Sequence, residues 1–189
     1  AEVGNLELTW LVPLSLIGTV CGWLYFVSEH ASETLSHAIG ERPVVKAMLA
    51  GLALAICGTV LPYTMFAGET QADVLMETHL TIPAGVLIAT GLVKAMLTPA
   101  LINLGWRGGH FFPVIFSGVS LGYGLAILTG ADPVFCVAVC TASTMGAVMR
   151  QPVMVVGLLL MCFPLKGIVC MIIAAVIAVG IPLPKPLRK

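Results

Sequence analysis

Charged residues are scarce in this chain. Only 10% of its 189 residues are charged, nine basic and nine acidic, whereas a soluble domain has about 25%. The net charge of zero leaves neither a basic face for nucleic acid nor an acidic tail. Hydrophobic residues make up 59% of the sequence, and the mean hydropathy is +1.05. These values predict an integral membrane protein in a lipid bilayer, with electrostatic effects confined to local sites.

The sequence also lacks the spacings that hold metal ions. No C-x-x-C pair is present, and no histidine lies beside a cysteine to complete a metal site. We therefore expect no metal, no cofactor, and free cysteines that act as small apolar side chains. The six cysteines are Cys21, Cys57, Cys136, Cys140, Cys162 and Cys170.

No signal peptide is visible, and the chain begins at Ala1 without an initiator methionine, so we expect a piece of a longer protein.

Long apolar runs dominate the chain. A helix needs about 20 apolar residues to cross the hydrocarbon core of a bilayer. Runs of this kind lie at residues 8–27, 44–61, 81–104 and 111–131. Shorter helices are predicted at 67–80, which is acidic, and at 134–149, 153–163 and 168–181. We expect an all-α membrane bundle with tilted and partial helices, because transporters build their sites from broken helices at membrane depth.

Residues 105–113, Gly-Trp-Arg-Gly-Gly-His-Phe-Phe-Pro, stand directly before an apolar run. Gly108 and Gly109 lack a Cβ, and we expect them to let main-chain N–H groups turn toward one point. Pro113 fits the first turn of the following helix, where its missing N–H costs little. Free N–H groups and the helix dipole there predict an anion site. The residues that supply these N–H groups are Gly109, His110, Phe111 and Phe112. An ordinary loop before a helix start is the alternative interpretation of the same pattern.

Several segments resemble one family of membrane proteins. Gly109-His110-Phe111-Phe112-Pro113, followed by Ser117-Gly118 and Gly122, is similar to the anion-site signature of the CLC family of voltage-gated chloride channels and chloride/proton antiporters. Lys94-Ala95-Met96-Leu97 and residues 146–152, Gly-Ala-Val-Met-Arg-Gln-Pro, match the family as well. The resemblance covers nearly all of the chain. It implies that residues 1–189 form a single membrane domain, the second of two inverted repeats, with the first half absent.

The resemblance implies transmembrane transport of chloride or a related small anion. The main-chain N–H groups of His110 and Phe111 would contribute to the central anion site. We place Arg107 at the mouth, where its charge attracts anions, because a full charge in contact would hold the anion too tightly for release. The implied partners are the first half of the transporter, the lipid bilayer and a second copy, which would form a homodimer through residues 153–178.

Two departures from the family pattern leave parts of the function open. The family's Gly-Ser-Gly-x-Pro loop and its Gly-x-Glu-Gly-Pro loop with the gating glutamate are absent from this sequence. The tyrosine that many members carry at the start of their last helix is also missing. The sequence therefore does not decide between a channel and a proton-coupled antiporter, or between chloride, fluoride and nitrate. Basic residues at the C-terminus predict that this end lies in the cytoplasm, and we expect a multi-pass protein of the plasma membrane. These residues are Lys185, Arg188 and Lys189.

Two further functions and one further residue stay in consideration. Residues 118–122, Gly-Val-Ser-Leu-Gly, match the Gly-x-Ser-x-Gly pattern of a serine nucleophile, which would make Ser120 the centre of an intramembrane protease. Such an enzyme needs a histidine facing the serine, and none lies well inside an apolar run. A membrane assembly subunit that transports nothing is the other alternative.

Lys94 is the only charge in residues 81–104, and it is either functional, snorkelling or part of an ion pair.

Overall fold

The computed structural model describes residues 5–65, 68–161 and 168–184, and every regular element within them is helical. The eight α-helices of this described part are α1 (Asn5–Ile39), α2 (Pro43–Val60), α3 (Glu69–Thr78), α4 (Ala84–Asn103), α5 (Phe111–Thr129), α6 (Pro133–Met149), α7 (Pro152–Leu159) and α8 (Ile168–Gly180). Short 3-10 turns occupy Pro62–Thr64 and His79–Thr81. The predictions for Cys162, for the gap at 164–167 between two predicted helices, and for Lys185, Arg188 and Lys189 fall outside the described residues.

The predicted all-α membrane fold is confirmed. Among the described residues, four helices are long and apolar enough to cross a membrane: Leu6–Ile39 within α1, and α2, α4 and α5. The first of the predicted spans continues as one helix of 35 residues, about 50 Å long at about 1.5 Å per residue, and so extends beyond the hydrocarbon core. In contrast, α7 has eight residues and stops at Leu159, which is shorter than the predicted 153–163 segment. Partial helices therefore stand beside full spans.

Proline and glycine mark the helix ends. A proline occupies the first position of α2, α6 and α7, where its missing N–H has no intrahelical partner to lose. The side chain of Asp132 accepts a hydrogen bond from the N–H of Phe135 at 2.9 Å and so caps the N-terminus of α6. Gly40 follows α1 with φ +69°, and Gly130 follows α5 with the same angle, in the left-handed region that favours glycine.

Arg150 links the end of α6 to the end of α8. It caps α6 with φ 56°, an unusual angle for a residue with a side chain. Its guanidinium donates hydrogen bonds to the carbonyl oxygens of Ala178, at 3.2 Å, and Ile181, at 2.8 Å. Because helix carbonyls carry partial negative charge at a C-terminus, this arginine stabilises the ends of α6 and α8 together.

The core lies along α5 and α6. Helix α5 packs between α4 and α6, and α6 also contacts α1 and α8. Glycines bring these helices close: a Cβ on Gly22 of α1 would lie 2.5 Å from Cβ of Ala147, and one on Gly122 of α5 would lie 2.5 Å from Cα of Val137. Of the cysteines in the described segments, four are buried and Cys57 is half-buried, all with free thiols. They fill space as small apolar side chains do.

Candidate functional site

At the start of α5, several main-chain N–H groups have no hydrogen-bond partner among the described residues. The first hydrogen bond of the helix joins the N–H of Val114 to the carbonyl oxygen of His110 at 3.1 Å. Pro113 has no N–H to offer. Within the part of the chain that the structure describes, no group accepts a hydrogen bond from the N–H of Gly109, His110, Phe111 or Phe112. The helix dipole adds about half a positive charge at this end. The arrangement can bind an anion through the main chain.

The glycines before α5 have a different role from the one predicted. Gly105 has φ +99°, which requires glycine, but neither Gly108 nor Gly109 has a positive φ. The expected conformational freedom of Gly108 and Gly109 is therefore not used. A Cβ on either residue would meet no atom within 4 Å. Because Gly108 and Gly109 have no side chains, their main-chain atoms stay accessible.

A cavity of ≈ 300 Å³ borders this stretch. Arg107, Gly108, Gly109 and Pro113 line it on one side. The residues that line the rest are mostly apolar: Leu54 of α2, Thr64 and Met65 of the turn after it, Lys94, Leu97, Thr98, Leu101 and Ile102 of α4, and Trp106. Arg107 is exposed. The cavity is large enough for a small anion with several waters.

Lys94 lies on the same cavity. Its side chain is only 4% exposed, and its Nζ donates a hydrogen bond to the carbonyl oxygen of Thr64 at 2.7 Å. This bond offsets part of the cost of burying an ammonium group and ties α4 to the turn after α2. The snorkelling interpretation is therefore wrong. A single charge in an apolar run was the sequence signal for Lys94, but only the fold brings it to the glycine-rich stretch.

The side chains of the predicted site diverge from one another. Phe112 lines a second cavity of ≈ 230 Å³ together with Glu69 and Asp73 of α3. The ring of His110 stacks on Phe111, with 4.7 Å between centroids, and lies 6.4 Å from the ring of Tyr25 in α1. Only the main-chain N–H groups therefore stay together at the helix start. Tyr25 is a neighbour of the site that sequence reasoning missed, because nothing in the pattern of α1 distinguishes it from other apolar positions.

Comparison with known proteins decides the family. The sequence matches the family model described as voltage gated chloride channel over residues 2–182. The chain belongs to the voltage-gated chloride channel (CLC) family. One solved structure, a CLC-type fluoride/proton antiporter, has a similar fold, with a TM-score of 0.79 at 21% identity. The match covers 100% of this chain and 48% of that one, so the chain spans about half the length of the antiporter. A search of curated protein sequences gives no significant match.

In this CLC chain, Ser120 joins two helices through a hydrogen bond, which is not the role of a nucleophile. It is fully buried in α5, and its Oγ donates a hydrogen bond to the carbonyl oxygen of Leu87 in α4 at 2.7 Å. A serine nucleophile instead needs a neighbouring base that takes its proton. In this Gly-x-Ser-x-Gly segment, the two glycines allow α6 to pack closely. The serine makes a hydrogen bond to α4. Within the described segments, no group of three His, Cys, Asp or Glu side chains could hold a metal ion.

Proposed function

We propose that this chain is part of a CLC transporter that moves chloride, or a related small anion, across a membrane. The observation that carries the proposal is the set of uncovered N–H groups at residues 109–112, at the start of a membrane-spanning helix and beside a cavity. Family membership supports anion transport as the activity.

The physical strength of the site fits reversible binding. Placing a bare anion in a medium of low dielectric constant costs on the order of tens of kcal/mol. Hydrogen bonds that involve a charged group contribute about 1.5–3 kcal/mol each, and the dipole of α5 adds to them. Lys94 and Arg107 raise the positive potential of the cavity without entering the site. Binding that is favourable but weak is what conduction requires.

Substrate, partners and location follow from the same proposal. We take chloride as the substrate, and fluoride as the alternative, because the similar structure is that of a fluoride/proton antiporter. That structure is about twice as long, so we propose that another half completes the site. We also propose that two complete subunits associate through residues 153–178, where Val153, Val169 and Val176 are exposed. We place the C-terminus in the cytoplasm on the basis of its basic residues, and we propose the plasma membrane as the location.

The decisive experiment removes one N–H group without changing a side chain. Incorporating phenyllactic acid in place of Phe111 in the full-length protein converts the amide into an ester, which lacks the N–H. We expect chloride affinity, measured by calorimetry, to fall about tenfold or more, because one such bond is worth at least about 1.4 kcal/mol. Chloride flux in liposomes should change with it.

The same ester at Phe116 is the matched control, since this residue lies inside α5 and its N–H belongs to the helix. It should leave chloride affinity unchanged. Arg107→Gln should slow flux at low salt while equilibrium affinity changes little. If Arg107→Gln abolishes binding and the Phe111 ester leaves it intact, the ligand is the arginine and the main-chain site is wrong. Absence of any anion flux in the full-length protein would favour the assembly subunit.

A further inference from the structure

The second cavity, between α3 and α5, combines carboxylates with aromatic rings. Its volume is ≈ 230 Å³, and we call it the α3–α5 cavity. The acidic and aromatic side chains that line it are Glu69 and Asp73 of α3 and Phe112, Phe116 and Tyr123 of α5. Sites for drug-sized molecules measure about 300–1,000 Å³, so this cavity suits a smaller ligand. The mixture of acidic and aromatic side chains indicates what that ligand is.

Both carboxylates of the α3–α5 cavity lack a partner of opposite charge. Glu69 and Asp73 lie four residues apart on α3 and are exposed, so they share one face of the helix. Among the described residues, neither side chain forms an ion pair or a hydrogen bond. The start of α5 contributes about half a positive charge near Phe112, which two full negative charges outweigh. The cavity therefore favours a cation.

The hydroxyl of Tyr123 indicates that this cation carries N–H groups. The side chain is only 8% exposed and lines the cavity, and its ring stacks on the imidazole of His79 with 4.4 Å between centroids. Within the described part of the chain, the Tyr123 hydroxyl has no hydrogen-bond partner. A buried hydroxyl normally has one, because leaving the bond unmade is costly. A ligand that donates an N–H into the cavity would supply the missing bond.

We propose that the α3–α5 cavity binds a primary ammonium group, that of a small free amine or that of an ethanolamine lipid headgroup. The carboxylates of Glu69 and Asp73 accept charge-assisted hydrogen bonds from its N–H groups, and the Tyr123 hydroxyl accepts another. The rings of Phe112 and Phe116 provide aromatic surface for a cation–π contact, which favours an organic cation over a metal ion. This site takes a ligand of positive charge, so it stands independently of the proposed function.

The test is calorimetric titration of the full-length protein with ethanolamine. The protein is kept in detergent free of amine lipids and in phosphate buffer, and ethanolamine is supplied as its gluconate salt at constant chloride concentration. We expect saturable binding, and binding of tetramethylammonium that is at least about tenfold weaker, because that cation has no N–H to donate. Tyr123→Phe keeps the ring and removes only the hydroxyl, so it should weaken ethanolamine binding about tenfold. Glu69→Gln and Asp73→Asn should each weaken it about threefold, since exposed charges contribute less.

Glu77→Gln is the matched control, because Glu77 is also exposed on α3 but does not line the cavity. It should bind ethanolamine as the wild type does. The two carboxylate variants change exposed side chains, so they decide the question if Tyr123→Phe fails to fold.

Nanodiscs distinguish the two sources of the ammonium group. Ethanolamine binding that is weaker in nanodiscs with phosphatidylethanolamine than in nanodiscs of phosphatidylglycerol alone identifies the lipid headgroup as the occupant. Equal binding in both identifies a free amine. The inference is overturned if ethanolamine shows no saturable binding, or if tetramethylammonium binds equally well. Ethanolamine binding that stays unchanged in Tyr123→Phe and in the combined Glu69→Gln and Asp73→Asn variant overturns it as well.

Discussion

At the scale of single residues, the glycines of 105–109 fall into two kinds. Gly105 adopts φ +99°, where a side chain is strained, so this glycine shapes the loop. Gly108 and Gly109 line the cavity and adopt angles open to other residues. A side chain at either position would therefore restrict access to the main chain without disturbing the fold.

This difference predicts opposite outcomes for two alanine substitutions. Gly109→Ala fits the space in the structure and should leave the thermal unfolding temperature unchanged, while its methyl group beside the free N–H groups lowers chloride affinity about tenfold, the loss of about one hydrogen bond. Gly105→Ala should instead destabilise the protein by about 1–2 kcal/mol, the cost of a left-handed residue. Unfolding in detergent and calorimetric titration measure the two effects. Equal chloride affinity in the wild type and Gly109→Ala would contradict a main-chain site at this glycine.

Residue identity predicted the start of α5 but not the directions of its side chains. The Pro113 pattern and the preceding glycines indicate a helix start, since their chemistry is local. The turn of His110 toward Tyr25, and of Phe112 toward α3, depends on which helices pack nearby. The same holds for Lys94, whose partner Thr64 lies 30 residues earlier in the chain. Periodicity within one segment carries no information on such contacts.

At the scale of helices, sequence predicts position well and packing poorly. Proline and glycine mark the starts of α2, α6 and α7 and the ends of α1 and α5, because they act through local backbone geometry. The small residues of α5 could equally have met lipid, a neighbouring helix or a substrate. The structure shows that Gly118 and Gly122 meet Thr141 and Val137 of α6. Close packing in a membrane needs such small residues.

Gly122 therefore carries a test of the α5–α6 contact. A Cβ at this position would lie 2.5 Å from Cα of Val137 and 3.0 Å from the carbonyl oxygen of Cys136, which are main-chain atoms that cannot rotate away. Gly122→Ala should lower the free energy of unfolding by about 1–3 kcal/mol through overpacking. Gly51→Ala in α2 is the control, since nothing lies within 4 Å of its Cβ position. Thermal unfolding in detergent compares them, and equal stability of the two variants would argue against this packing.

At the scale of the whole molecule, α7 and α8 each have a core face and an outer face. Leu159 and Met171 are fully buried, so these positions belong to the interior of the chain. The outer face, which we call the outer α7–α8 face, consists of exposed apolar side chains: Val153, Met154, Val169, Ile172, Ile173 and Val176. Because both faces are apolar, the sequence alone does not distinguish the core face from the outer face.

The outer α7–α8 face is where we expect a second subunit to bind. Ile172 is 42% exposed at the middle of α8, so Ile172→Trp should disturb a twofold contact without entering the core. We expect the mass of the full-length protein in mild detergent, measured by light scattering, to shift from dimer toward monomer. Leu52→Trp provides the control, because Leu52 is 58% exposed on α2, outside residues 153–178. Lipid contact would tolerate both substitutions equally, whereas a subunit contact responds only to the first. A dimer that persists in Ile172→Trp and in Val176→Trp would place the interface elsewhere.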